Sequence, residues 1–78
     1  MLLTGNQLKA ARALAGMDQP TLAARAGISK NTIVSLEKRG ADVLTGRLDT
    51  VRALQVALEE AGIELLSEGG RIGVRLKV

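Results

Sequence analysis

MDQPTLAARAGISKNTIVSLEKRG, residues 17–40, decides the fold of this 78-residue chain. Two short amphipathic segments flank Gly27, and each opens on a helix-start signature. Asp18 stands at an N-cap, Gln19 and Pro20 open the helix, and Met17 and Leu22 bracket the start as a hydrophobic staple. Pro20 loses no hydrogen bond there, because first-turn N–H groups have no partner inside a helix. Ser29 repeats the pattern, with Ile28 before it and Ile33 after it. Gly27 lies where a helix ending in the left-handed conformation needs a residue without Cβ. The spacing predicts two helices joined by a turn of about four residues, a helix-turn-helix over residues 18–39.

The second helix of the pair separates its faces. Ile33 and Leu36 are three apart and share the buried side with Ile28, whereas Lys30, Asn31, Val34, Ser35 and Lys38 point elsewhere. A helix that fits the major groove reads bases with its N-terminal residues, and this one offers a cation and an amide there. The same face also fits ordinary solvation.

The residues then carry a resemblance. Residues 4–58 look like the Cro and phage-repressor class of helix-turn-helix proteins, the xenobiotic-response-element (XRE) family. The matching elements are Gln-x-x-Leu-Ala at Gln19–Ala23, Ala-Gly-Ile-Ser at Ala26–Ser29 and Thr-Ile-x-x-Leu-Glu at Thr32–Glu37, followed by a glycine. The resemblance implies a lambda-repressor-like four-helix domain that binds double-stranded DNA. It implies that Gln19 touches a phosphate and braces the recognition helix, and that Lys30, Asn31, Val34 and Ser35 face base edges. Thr32 joins the phosphate contacts, and Arg12 pairs with Glu37 to link the first helix to the third. Glu-Lys-Arg-Gly departs from the family's frequent Glu-x-Gly by one residue, which leaves the next loop's course open.

Composition narrows the alternatives. With no cysteine and no histidine, the chain lacks disulfides, thiolate metal sites and the usual general base. Without an aromatic residue, the core is aliphatic, and the stacking used to bind single strands and RNA loses its normal tools. Residues 1–40 carry Lys9, Arg12, Arg25, Lys30, Lys38 and Arg39 against only Asp18 and Glu37, whereas the remainder is slightly acidic. A basic half that contains the motif suits a phosphate-facing surface, although solvation alone produces such asymmetries too. Lys38, Arg39 and Arg47 are the expected backbone-phosphate contacts on this side. No catalytic constellation is visible, so neither an enzyme nor a cofactor or metal is expected. No apolar run reaches about 18 residues and no signal-peptide pattern opens the chain, so no membrane association is expected and a cytoplasmic, nucleoid-associated protein is.

Outward from the motif, Thr4-Gly5-Asn6-Gln7 reads as a capping box in which Gln7 reaches back, with Leu3 and Leu8 as a staple. The first helix is expected to run to about Ala15 on an apolar stripe of Leu8, Ala11, Leu14 and Ala15. Ala41–Arg47 has no period and reads as loop. A fourth helix follows from Leu48, with Val51, Leu54, Leu58 and Ala61 at helical spacing, and closes a domain of residues 1–62.

Residues 63–78 change period. Ile63-Glu64-Leu65 and Ile72–Val78 alternate around Gly69-Gly70, which predicts a hairpin pairing Leu65 with Val74, Ile63 with Leu76, Glu64 with Arg75 and Glu68 with Arg71. A basic disordered tail is the alternative, against which the aliphatic content argues. A lone ribbon is marginal in water. It must therefore pack on the fourth helix or meet a copy of itself, and Ile63, Leu65, Ile72, Val74 and Leu76 are the expected dimerisation residues. The expected function is sequence-specific regulation of transcription, as a repressor on a palindromic operator bound by a homodimer. The rival is an antitoxin-type interaction module that binds a partner protein and autoregulates its promoter.

Overall fold

The computed structural model describes residues 1–45 and 48–77. Its elements are α1 Gly5–Leu14, α2 Gln19–Ala26, α3 Lys30–Glu37, α4 Leu48–Glu60, β1 Ile63–Glu68 and β2 Arg71–Leu76. The first three helices start where a side chain accepts an otherwise unpartnered N–H. Thr4 Oγ1 accepts from Gln7 N at 3.1 Å, Asp18 Oδ1 from Thr21 N at 2.8 Å and Ser29 Oγ from Thr32 N at 3.2 Å. Gly27, at φ +69°, closes α2 in the left-handed conformation, and Ser29, two residues later, caps α3.

One aliphatic core collects a residue from nearly every element. Leu8, Leu22, Ile33, Leu54, Leu58 and Ile63 are fully buried. Leu14 and Leu48 depart from the apolar stripes expected of them, at 41% and 85% exposed. Both stand at helix ends, and Met17 and Ala57 are buried instead. No helix of the described residues is long and apolar enough to cross a membrane.

The hairpin has the expected register, with Ile63 facing Leu76, Glu64 facing Arg75, Leu65 facing Val74 and Glu68 facing Arg71. Gly69 and Gly70 take φ of +59° and +74°, the two positive values that a tight two-residue turn requires. Arg75 clasps Glu64 through two bonds of 3.2 and 2.8 Å. The ribbon packs on its own chain, β1 against α4 and β2 against α1. Ile63 and Leu65 are buried in this chain's core, Val74 packs against it, and Ile72 and Leu76 remain 46% and 38% exposed. Ile63 and Leu65 therefore drop out of the set available to a second copy, because α4 and α1 already cover them.

The segment after Gly40 is more than a loop. Val43 bridges Thr4, and Leu44 N donates to Leu3 O at 2.6 Å, so the first residues run antiparallel to it. Gln7, only 3% exposed, joins the first residues of the chain to the hairpin. Its Oε1 accepts from Leu3 N at 2.6 Å, and its Nε2 lies 3.1 Å from each of Met1 O, Leu66 O and Gly73 O. The return bond of the capping box thus goes to the Leu3 N–H, one residue before the cap. A buried amide deprived of such partners is costly, and so are the carbonyls it serves.

Gly5 sets how close α1 comes to α3. A Cβ there would lie 2.4 Å from Leu36 O and 3.0 Å from Gly40 N. The main chains touch, and Asn6 N donates to Gly40 O at 2.9 Å. Alanine ordinarily stabilises a helix by up to about 1 kcal/mol over glycine. Here the obstacle is backbone, which cannot rotate away, and overpacking costs about 1–3 kcal/mol. Gly5→Ala is accordingly expected to lower stability in urea denaturation, opposite in sign to its helix propensity. Gln7→Leu, which keeps bulk and removes every donor and acceptor, is expected to cost about 1–3 kcal/mol in the same measurement.

Candidate nucleic-acid interface

α3 turns one side inward and one outward. Ile33 is fully buried, while Ile28 and Leu36 pack against the core from its edges. On the opposite side Lys30, Asn31 and Ser35 are exposed, Val34 is half-buried between them, and Lys38 and Arg39 extend the exposed face past the helix end. Residues 30, 31, 34, 35 and 38 follow helical spacing, so one strip carries two ammonium groups, an amide and a hydroxyl.

Thr32 and Arg39 are partly committed. The Thr32 hydroxyl lies 2.9 Å from Ser29 Oγ within the cap, and Arg39 Nη2 donates to Thr45 Oγ1 at 3.2 Å. Arg47, the third expected phosphate contact beyond α3, lies outside the described residues.

Behind the strip sits a cluster that joins three helices. Arg12, in the last turn of α1, donates from Nε to Glu37 Oε2 at 2.8 Å and from Nη2 to Glu37 Oε1 at 3.2 Å. Its Nη1 donates to Met17 O at 3.1 Å. Gln19, in the first turn of α2, donates its amide to Glu37 Oε1 at 3.1 Å. The carboxylate thus receives three charge-assisted or polar hydrogen bonds from α1 and α2. Side-chain exposure is 16% for Arg12 and 7% for Glu37, so the pair is shielded from water. The hydrogen bond to Glu37 raises the Arg12 pKa above its usual value, against the opposing effect of burial.

Gln19 is half-buried, with one amide hydrogen turned to Glu37. The Thr21 side chain and N–H hold the pKa of the neighbouring Asp18 below the ordinary carboxylate value. Among the described residues no three acidic, histidine or cysteine side chains converge as metal ligands would.

Arg12, Glu37 and Gln19 meet as the family resemblance implies, and Lys30, Asn31, Ser35 and Lys38 share the expected outward face. Gly5 and Asn6, which set the seat of α3 from the α1 side, were not legible as site residues. The only hint was a glycine in a first helical turn, where alanine is the better helix former. No protein-family model matches the chain, and none of the curated proteins compared with it is significantly similar.

A double-mutant cycle tests the cluster. Exposed ion pairs are worth about 0–1 kcal/mol, whereas breaking a buried pair from one side costs about 3–5 kcal/mol. Glu37→Ala is expected near 3 kcal/mol by that scale, with a coupling to Arg12→Ala above about 1 kcal/mol. Coupling indistinguishable from zero would mean that the two side chains fold independently.

Proposed function

We propose that the protein is a DNA-binding transcriptional regulator of the Cro and phage-repressor type, a repressor that binds a palindromic operator as a homodimer. The observation that carries this reading is the outward strip of α3, polar and cationic, seated on a helix whose rear is clamped by Arg12, Glu37 and Gln19. A reading element has to be both accessible and rigid, because base-edge hydrogen bonds reward only a helix held in one register.

Lys30 and Asn31 occupy the first turn of α3, the part of a recognition helix that reaches deepest toward base edges. Asn31 would hydrogen-bond an adenine edge through both its donor and its acceptor, and Lys30 a guanine edge or phosphate. Ser35 and Val34, one turn later, would meet a second base and a thymine methyl. Lys38 at the end of the strip and Arg39 beside it would neutralise phosphates, and the Gln19 amide would donate to one, giving affinity without sequence preference. The absence of aromatic side chains supports a duplex over an unpaired strand.

The test is a duplex selected by the protein from a random pool, followed by fluorescence anisotropy on that duplex and on a scrambled one. Asn31→Ala is expected to cost about 1–3 kcal/mol on the selected duplex and to leave scrambled binding nearly unchanged. Equal losses on both duplexes would assign Asn31 to positioning. Failure to enrich any sequence would overturn the reading.

A further inference from the structure

The β2 edge is open and self-complementary. Among the described residues the sheet has two strands, so there β2 has a neighbouring strand on one side only. The outer side of β1 is approached by the Met1 nitrogen, 2.6 Å from Leu65 O. Main-chain groups of an antiparallel ribbon alternate between the partner strand and the open edge. Lys77 N donates to Gly62 O across the ribbon at 2.8 Å. The same phase turns the N–H and C=O groups of Ile72, Val74 and Leu76 outward. These are the residues whose side chains alternate onto the inner face, where Ile72 and Leu76 remain exposed.

We infer that a second copy of the chain pairs antiparallel along β2, with the two-fold axis at Val74, so that Ile72 of each copy faces Leu76 of the other in a continuous four-stranded sheet. This rests on the homodimer of the proposed regulator and names its interface. In that register the six outward main-chain groups of Ile72, Val74 and Leu76 meet their counterparts, which removes the free edge. The two exposed aliphatic side chains cover each other twice. On the other face, Arg75 of one copy lies opposite Gly73 of the other, where no atom stands within 4 Å of the missing Cβ. Moving the axis to Gly73 would set Arg71 against Arg75, and moving it to Arg75 would set Arg75 against itself. Like charges directly opposite are unfavourable. At Val74 the sole like-charge pairing, Arg71 with Lys77, falls at the exposed ends.

The space beside the edge fits as well. A groove of about 370 Å³, mainly apolar, lies between β2 and α1, lined by Ile72 and Val74 on one side and Asn6 and Ala10 on the other. Leu76 of the second copy, set opposite Ile72, enters this groove. The small side chains of α1 leave room for it. One strand pair with a few side chains is less than a standard interface buries, so the dimer belongs to the weak, reversible class.

A charge swap tests the register. Ile72→Glu and Leu76→Lys alter exposed positions, and each variant is expected to keep the wild-type circular dichroism. In sedimentation equilibrium each alone is expected to self-associate about tenfold more weakly than the wild type, or worse. An equimolar mixture should associate again, because Glu at 72 of one chain then faces Lys at 76 of the other while Leu76 and Ile72 still meet. Mixing Ile72→Glu with Ile72→Lys should give no such recovery. A monomeric wild type, variants that dimerise undiminished, or recovery with the 72/72 pair would each overturn the proposal. Recovery with the 72/76 pair in a chain that selects no duplex would uphold this interface and sink the regulator reading alone.

Discussion

The contact of Arg12 with Glu37 is the constraint on which the placement of α3 depends. An eight-residue helix is too short to persist alone, since isolated helices below about 12–15 residues are marginal. α3 exists because the rest of the chain holds it. Glu37 is its last residue, where a carboxylate opposes the helix dipole and weakens the helix locally. Its value therefore lies in position: one carboxylate collects Arg12 from α1 and Gln19 from α2, while the same guanidinium holds the Met17 carbonyl between them. Three helices and a connection converge on one shielded charge pair.

The rest of the core makes that convergence possible at small size. Without rings, the core has to be closed by bringing backbones together, and Gly5 does so by letting α1 meet the end of α3 at main-chain contact. The hairpin then covers the opposite flank, with Ile63 and Leu65 inward. Gln7 ties the two halves. Its amide spans Met1, Leu66 and Gly73 while its carbonyl takes the Leu3 N–H, so the α1 start, the first residues and both strands are tied through one side chain. Such a fully satisfied polar group fixes one arrangement of an otherwise permissive aliphatic core.

What could be read from the sequence was what depends on near neighbours along the chain. Thr4, Asp18 and Ser29 cap helices because the donor they satisfy lies three residues on, and Gly27 turns because of its own φ. The hairpin register followed from alternation around Gly69-Gly70, since a one-residue slip would reverse every face. Long-range facts were different in kind. The close approach at Gly5, the reach of Gln7 and the pairing of Thr4 with Val43 depend on segments far apart in sequence, and no local pattern encodes them. The exposure of Leu14 and Leu48 has the same origin: periodicity names a helix's apolar side but not where its neighbours stop. The Arg12–Glu37 pair entered only through a resemblance. The outward strip of α3 was legible as a face, while a solvated face and a base-reading face share one sequence pattern.

The most direct test of the central claim, that a clamped α3 is the surface that meets DNA, is amide chemical-shift mapping of the 15N-labelled chain during titration with a selected duplex. The largest shifts are expected at Gln19 and along Lys30–Ser35, with α4 from Leu54 to Glu60 nearly silent. Largest shifts on α4, with α3 unmoved, would contradict that claim.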